Sequence, residues 1–244
     1  TSAGVSETKC FASVAAAGGE ASRSLPRSPT ARAVAELHAA ARLCGSGAGG
    51  GGAAEGASGT GTQGGLARAV LDQHLAEFKP RQLALVAWSL ARLRARDLLV
   101  SADLSTGNSL PQTLRARASD LDAQGVSMVL WALATARSED ADLAWTLGLE
   151  AARRVPESSP QGVANCLWAC ATLAMHHTPL TASAASSSGV QPWHGAATAP
   201  SGQACANVLW ALATMRAHGA ERLAEAAAEV ALLRISDLRP SELA

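Results

Sequence analysis

Apolar residues recur along much of this chain at the three- and four-residue spacing that places them on one side of an α-helix. In the first such segment, 66–78, the apolar stripe consists of Leu66, Val70, Leu71, Leu75 and Phe78. Segments with similar spacing are 140–154, 220–234 and a shorter one around 110–118. This periodicity predicts amphipathic helices, because a half-buried strand would alternate apolar and polar residues instead.

Four further segments align with one another on a tryptophan. They read PRQLALVAWSLARL (80–93), AQGVSMVLWALATA (123–136), PQGVANCLWACATL (160–173) and GQACANVLWALATM (202–215). Their tryptophans are Trp88, Trp131, Trp168 and Trp210, spaced by 43, 37 and 42 residues. Each segment suits a helix, and Pro80 and Pro160 fit its first turn, where a missing N–H removes no hydrogen bond.

Tryptophan helices that alternate with amphipathic helices predict an all-α protein, an α-solenoid of helical-hairpin repeats of about 38 residues. About four repeats span 66–244, and a truncated fifth is expected from 236, because Pro240 restarts the pattern that begins at Pro160. The sequence is therefore expected to be part of a longer array. Tyr is absent and Phe occurs twice, and this scarcity of aromatic residues argues against a β-sandwich or barrel.

Two regions depart from the repeat. Residues 1–65 have low complexity and are expected to be disordered, with a candidate degenerate helix at 29–43 and a Gly-rich linker at 45–65. Residues 181–202 form a low-complexity insertion where the partner helix before Trp210 should lie, and their composition predicts a loop. Segments rich in Gly, Ser and Ala offer too few large apolar side chains to form a packed core.

The consensus Pro-Gln-x-Leu-Ala-Asn-x-Leu-Trp-Ala-Leu-Ala-x-Leu resembles the octotricopeptide repeat (OPR) of green algal organelle proteins. That repeat is related to the helical repeats that precede RAP domains and to FAST-kinase-like mitochondrial proteins. The match is fullest in 160–173 and 202–215, whereas Leu85 and Met128 replace its Asn in the other two segments. No segment of the sequence resembles a RAP domain itself.

This resemblance implies sequence-selective binding of single-stranded RNA, with a role in RNA processing, mRNA stability or translation regulation. It also implies an organellar location, in a chloroplast or mitochondrion, and other organellar gene-expression proteins as further partners.

On a helical wheel at about 100° per residue, one arc of each tryptophan helix is apolar. Cys166, Cys170 and Cys205 fall on this arc, at positions that Val or Leu occupies in other repeats. Buried cysteines behave as small apolar residues, so these three are expected in the core. A metal cluster with His176 and His177 is the alternative, although the spacing matches no usual zinc signature.

The opposite arc, at positions −7, −3, 0 and +4 relative to the tryptophan, carries polar side chains. Candidate RNA-binding residues on it are Arg81, Arg92, Gln124, Thr135, Gln161, Asn165, Thr172, Gln203, Asn207 and Thr214. In one interpretation the tryptophans wedge between successive repeats and the amides bridge their backbones. In the other, amides meet bases and arginines meet phosphates on a concave surface. The tryptophans recur in every repeat and carry no base-specific information, so we expect them to be structural.

Charge and candidate chemistry leave a choice between two binding functions. Net charge is zero, although residues 79–117 hold seven basic and two acidic side chains. The sequence shows no catalytic constellation, no cofactor-binding loop, no usual metal-site signature and no apolar run of the ~18 residues that a membrane span needs. A non-enzymatic protein without a cofactor is therefore expected. The alternative to RNA binding is a protein-binding helical-repeat scaffold, which zero net charge favours.

Overall fold

The computed structural model describes residues 28–46, 59–100, 109–193 and 200–234. Within these ranges there are helices and turns but no β-strand, which confirms the all-α prediction. The α-helices are α1 (Pro29–Ser46), α2 (Gly59–His74), α3 (Pro80–Arg92), α4 (Arg96–Val100), α5 (Leu110–Ala116), α6 (Ala123–Thr135), α7 (Ala141–Arg153), α8 (Pro160–Thr172), α9 (Thr178–Ala185), α10 (Ser187–Val190), α11 (Gly202–Thr214) and α12 (Glu221–Leu233). Residues 1–27 and the fifth repeat expected from 236 lie outside the described residues.

The four tryptophan segments form helices of equal length, α3, α6, α8 and α11, called the Trp helices below. Each has 13 residues. Their starting points are set locally, because Asp122, Ser159 and Ser201 accept hydrogen bonds from backbone N–H groups of the first turn in α6, α8 and α11. Such caps satisfy donors that have no partner within the helix. Pro80 and Pro160 lie in the first turn, as the sequence predicts.

All four Trp helices also end alike, in a turn that glycine usually closes. The residue six positions after each tryptophan has a positive φ, and the next N–H bonds back into the helix, as from Ala95 to Leu90 O (3.0 Å) and from Ser138 to Leu133 O (2.9 Å). The left-handed residues are Arg94, Arg137, Ala174 and Arg216. A β-carbon in this conformation costs roughly 1 kcal/mol or more, so each repeat carries some local strain.

The Trp helices lie side by side in chain order, α3 on α6, α6 on α8 and α8 on α11. Between α3 and α6, the rings of Trp88 and Trp131 are 6.4 Å apart. Beyond the C-terminal ends of the same helices, Arg96 Nη2 donates to Arg137 O at 3.2 Å. One contact joins matching repeat positions and the other joins positions two residues apart in the repeat, so α3 and α6 run in the same direction.

The pair α8 and α11 has the same register. Near the N-terminal ends, Ser201 Oγ donates to Gln161 Oε1 at 3.1 Å. Beyond the C-terminal ends, His176 Nδ1 donates to Met215 O at 2.8 Å. Close packing is possible because small residues occupy positions −4 and +3. The buried members of this set are Ala84, Ala91, Ser127, Ala134, Ala164 and Ala171.

The remaining helices form a second row against the first. Helix α7 packs on α6 and α8 of the Trp row and on α5 and α9 beside it, and α12 packs on α11, α9 and α10. Side chains bond backbone carbonyls within this row: Ser183 Oγ donates to Ala152 O (2.7 Å) and Arg154 Nη2 to Ser119 O (2.8 Å). The core lies between the two rows. Its fully buried leucines include Leu130, Leu133, Leu143 and Leu147.

Helix α1 covers the candidate degenerate helix 29–43 and packs on α3. The His38 ring lies 5.2 Å from the Trp88 ring, on the side of α3 away from Trp131. Helix α1 therefore occupies the place that a preceding Trp helix would take, with a histidine where the other repeats have an indole.

Two predictions of irregular structure are wrong in part. Helix α2 begins at Gly59, inside the predicted linker 45–65, because Val70 and Leu71 anchor it against the core. The predicted loop 181–202 contains the end of α9, helix α10 and a 3-10 turn at Gln191–Trp193. Its few apolar side chains are spaced so that they reach the core. Those buried there are Ala184, Val190 and Trp193.

Candidate functional site

Two of the four repeat tryptophans, Trp88 and Trp131, lie where α3 and α6 meet. Trp88 and Trp131 are only 7% and 4% exposed, whereas Trp168 is partly exposed and Trp210 is 47% exposed. Exposure is greatest in α11, the last Trp helix described. The geometry of the interior pair is that of a wedge between repeats, because an indole buried to this degree offers no free face on which a base could stack.

The cysteines of the apolar arc are all buried. Burial raises the pKa of Cys166 to about 12, against a weaker opposing effect of a hydrogen bond with Ser127. Burial likewise raises the pKa of the Cys170 and Cys205 thiols. A thiol with a raised pKa is a poor nucleophile and a poor metal ligand, since both roles need the thiolate.

The two histidines after α8 have structural partners. His177 is fully buried, and its Nδ1 accepts from the N–H of Leu180 at 3.2 Å to cap α9. Its Nε2 donates to Trp145 O at 3.2 Å, and its ring lies 4.2 Å from that of Trp145. Burial lowers the pKa of His177, although backbone hydrogen bonds oppose the shift. Across the described residues there is no group of three or more His, Cys, Asp or Glu arranged to hold a metal ion.

The predicted polar arc divides into exposed ends and a covered middle. Its two ends, positions −7 and +4, are exposed or partly exposed in every repeat. These positions are Arg81 and Arg92, Gln124 and Thr135, Gln161 and Thr172, and Gln203 and Thr214. At position −3, Asn165 is only 6% exposed and Met128 is buried as well, whereas Leu85 and Asn207 are partly exposed. Stacking in register brings the end positions of successive repeats next to one another.

One amide of the arc bridges two repeats. Gln161 Nε2 donates to Asn165 Oδ1 at 3.0 Å, and Gln161 Oε1 accepts from Ser201 Oγ at 3.1 Å. Ser201 is also the cap of α11, since its Oγ accepts from the N–H of Ala204. This chain of bonds links α11 to α8 through side chains, whereas the bridging interpretation expected the amides to bond backbone groups.

The basic residues of segment 79–117 serve different purposes. Arg115 Nη2 pairs with Asp140 at 2.6 Å, and Arg117 Nη1 donates to Phe78 O at 2.5 Å, so both are bound within the fold. Arg81 is exposed in the first turn of α3. The Arg92 guanidinium lies over the Trp88 ring, 5.6 Å from its centre. Of the two arginines that the sequence places on the polar arc of this segment, Arg81 is exposed and Arg92 is partly exposed.

Sequence reasoning missed a second set of basic residues. Arg94, Arg137 and Arg216 all lie six positions after a tryptophan, are exposed and adopt the left-handed conformation. The signal was present in the alignment, where this column reads Arg, Arg, Ala and Arg. The column falls beyond the helical wheel, in the turn that closes each Trp helix, so a wheel of the helix does not include it.

No protein-family model matches this chain, and no curated protein matches it. The helices over the described residues include none that is both long enough and apolar enough to cross a membrane.

Proposed function

We propose that the chain is an α-solenoid segment that binds single-stranded RNA in a chloroplast or mitochondrion. The observation that carries the proposal is the in-register stacking of the Trp helices. Stacking turns one sequence position into a row of exposed side chains, and helical-repeat proteins that bind RNA present a few side chains per repeat in this way. The OPR-like motif supports the organellar role in RNA processing, mRNA stability or translation, without an enzymatic activity or a cofactor.

The roles of individual residues follow from exposure and charge. Arg81 and Arg92 suit phosphate oxygens, which position RNA without reading its sequence. Gln124, Thr135, Thr172, Asn207 and Thr214 present hydrogen-bonding groups at the ends of the arc, where base edges are the expected partners. Gln161 and Asn165 contribute indirectly, by holding α11 against α8.

Fluorescence anisotropy with labelled single-stranded homopolymers at low salt tests the proposal. Arg81→Ala and Arg92→Ala should weaken binding to every sequence and lower the slope of log K against log salt by about 0.7 each, because each phosphate contact releases condensed counterions. Gln124→Ala should instead change the preference among bases and leave that slope unaltered. A chain that binds no single-stranded RNA at low salt would contradict the proposal.

A second candidate is a protein-binding scaffold, and exposed apolar side chains favour it. Trp210 on α11 is half exposed, and Leu232 and Leu233 at the end of α12 are 70% and 83% exposed. The scaffold function replaces RNA binding if the chain does not bind RNA but captures a protein from an organelle extract. The double variant Leu232→Ser, Leu233→Ser should then abolish this capture.

A further inference from the structure

Three arginines occupy one strained backbone position in successive repeats. Arg94, Arg137 and Arg216 have φ values of 57°, 51° and 49°, and Ala174, with φ 55°, holds the same position in the third repeat. Lys and Arg together number only 20 among 244 residues, so composition does not account for three basic residues at four equivalent sites.

The turn itself does not require arginine. Its closing hydrogen bond joins backbone groups only, as between the Met175 N–H and Cys170 O (2.8 Å) in the repeat that carries alanine. Glycine would close the turn with less strain. Interaction with the helix dipole does not explain the arginines either, because a basic residue within the last helical turn would make that interaction without backbone strain. The strain belongs to the turn, since Ala174 adopts the same conformation, so closing the turn does not account for the arginine side chains at the other three positions.

Register places these arginines along one edge of the Trp row. The turn after α3 contacts the turn after α6 through Arg96 and the carbonyl of Arg137. The turn after α8 contacts the turn after α11 through His176 and the carbonyl of Met215. Between these pairs, Ser127 of α6 lies close enough to the Cys166 thiol of α8 to act on its pKa, and the two residues are two positions from an exact match of register. The left-handed residues of neighbouring repeats are therefore about one helix spacing apart, roughly 8–10 Å.

The edge is basic and open. Arg94, Arg137 and Arg216 are exposed, and none forms an ion pair with another residue that the structure describes. Arg92 and Arg96 lie in or beside the same turns. The acidic side chains at these turns are Asp97, Glu139, Asp140 and Glu221; Asp140 pairs with Arg115, and Glu139 is 3.9 Å from Arg96. The five arginines at these turns therefore face four acidic residues, one of which is already paired with Arg115.

We propose that Arg94, Arg137 and Arg216 form an arginine edge that binds the phosphodiester backbone of single-stranded RNA. This inference rests on the proposed function and deepens it. The planar guanidinium group donates two parallel hydrogen bonds to one phosphate, which suits arginines along one edge to a repeating anion. Arg94 and Arg137 are one repeat apart, and Arg137 and Arg216 are two repeats apart because Ala174 lies between them. The backbone of the RNA follows the C-terminal turns of the Trp helices, and its bases are directed toward the polar arc.

The strained conformation permits a clean test, because glycine removes the charge and relieves the strain together. The variant with Arg94→Gly, Arg137→Gly and Arg216→Gly should unfold at the same or a higher denaturant midpoint than the parent. With a labelled oligouridylate at about 50 mM salt, each lost contact should weaken binding roughly eightfold, and all three together should lower the salt slope by about 2. Arg68→Ala, which removes an exposed arginine of α2, is the control and should leave affinity unchanged.

The third repeat supplies the reverse experiment. Ala174→Arg completes the row and should strengthen oligouridylate binding while raising the salt slope by about 0.7. If the parent chain binds oligouridylate but the glycine variant binds equally well with the same slope, the arginine edge is wrong and RNA binding stands. If the glycine variant loses stability, the Ala174→Arg variant tests the arginine edge instead. A salt slope of oligouridylate binding that is unchanged in Ala174→Arg overturns the proposal. If the parent chain binds no RNA at all, the proposed function fails and this inference fails with it.

Discussion

The position of a tryptophan in the row of Trp helices should set its contribution to stability. Trp131 is buried between α3 and α6 and is 4% exposed, whereas Trp210 on α11 is 47% exposed. A buried tryptophan removes about 200 Å² from water, and at about 25 cal/mol per Å² this burial contributes ~5 kcal/mol. Trp131→Ala retains only a methyl group and leaves a cavity, so we expect it to lower the free energy of unfolding by ~4 kcal/mol. Trp210→Ala should cost about half as much.

Urea denaturation followed by the helical circular dichroism signal measures this difference. With a slope of about 2 kcal/mol per molar urea, the midpoint should fall by about 2 M for Trp131→Ala and about 1 M for Trp210→Ala. The two variants carry the same chemical change in the same repeat position, so each controls for the other. Equal losses at both sites would refute the reasoning, because they would show that the α11 indole is covered as well as the interior one.

Three further outcomes follow from the buried polar groups. The three core cysteines are Cys166, Cys170 and Cys205, and burial raises the pKa of each thiol. Alkylating reagents at pH 8 should therefore leave them unmodified until the chain unfolds, and mass spectrometry would show this. The free energy of unfolding should be flat above about pH 6.5 and decrease below it, because the lowered pKa of His177 lets the unfolded chain take up the proton first. His177→Asn keeps a capping side chain but does not titrate, so it should flatten this pH dependence when denaturation is measured across the same pH range. Because the pKa of His38 is also lowered, a residual decrease in the free energy of unfolding should remain. Gly148→Ala should destabilise by about 1–3 kcal/mol, since its new Cβ would lie within 2.4 Å of the His177 ring. Gly162→Ala, whose new Cβ would lie 3.4 Å from Ser159 Oγ, should be tolerated, and equal thermal shifts for the two glycine variants would contradict this packing.

The sequence by itself determined where the Trp helices begin and end and which arc of each is apolar. Those features depend on neighbours in the chain: Pro80 and Pro160 preset the first turn, Ser159 and Ser201 cap it, and the spacing of leucines fixes the buried side. The partner helices at 140–154 and 220–234 were predictable for the same reason.

Only the tertiary structure decided which polar positions reach solvent. A helical wheel treats one helix alone, whereas each Trp helix is covered by a neighbour, so Asn165 is buried although it lies on the polar arc. The bond from Ser201 to Gln161 crosses about 40 residues of sequence, and no local pattern specifies it. The arginine edge likewise exists only because stacking in register aligns turns that are far apart in the chain. Local sequence fixes the repeat, and the packing of one repeat on the next decides which of its side chains remain available for binding.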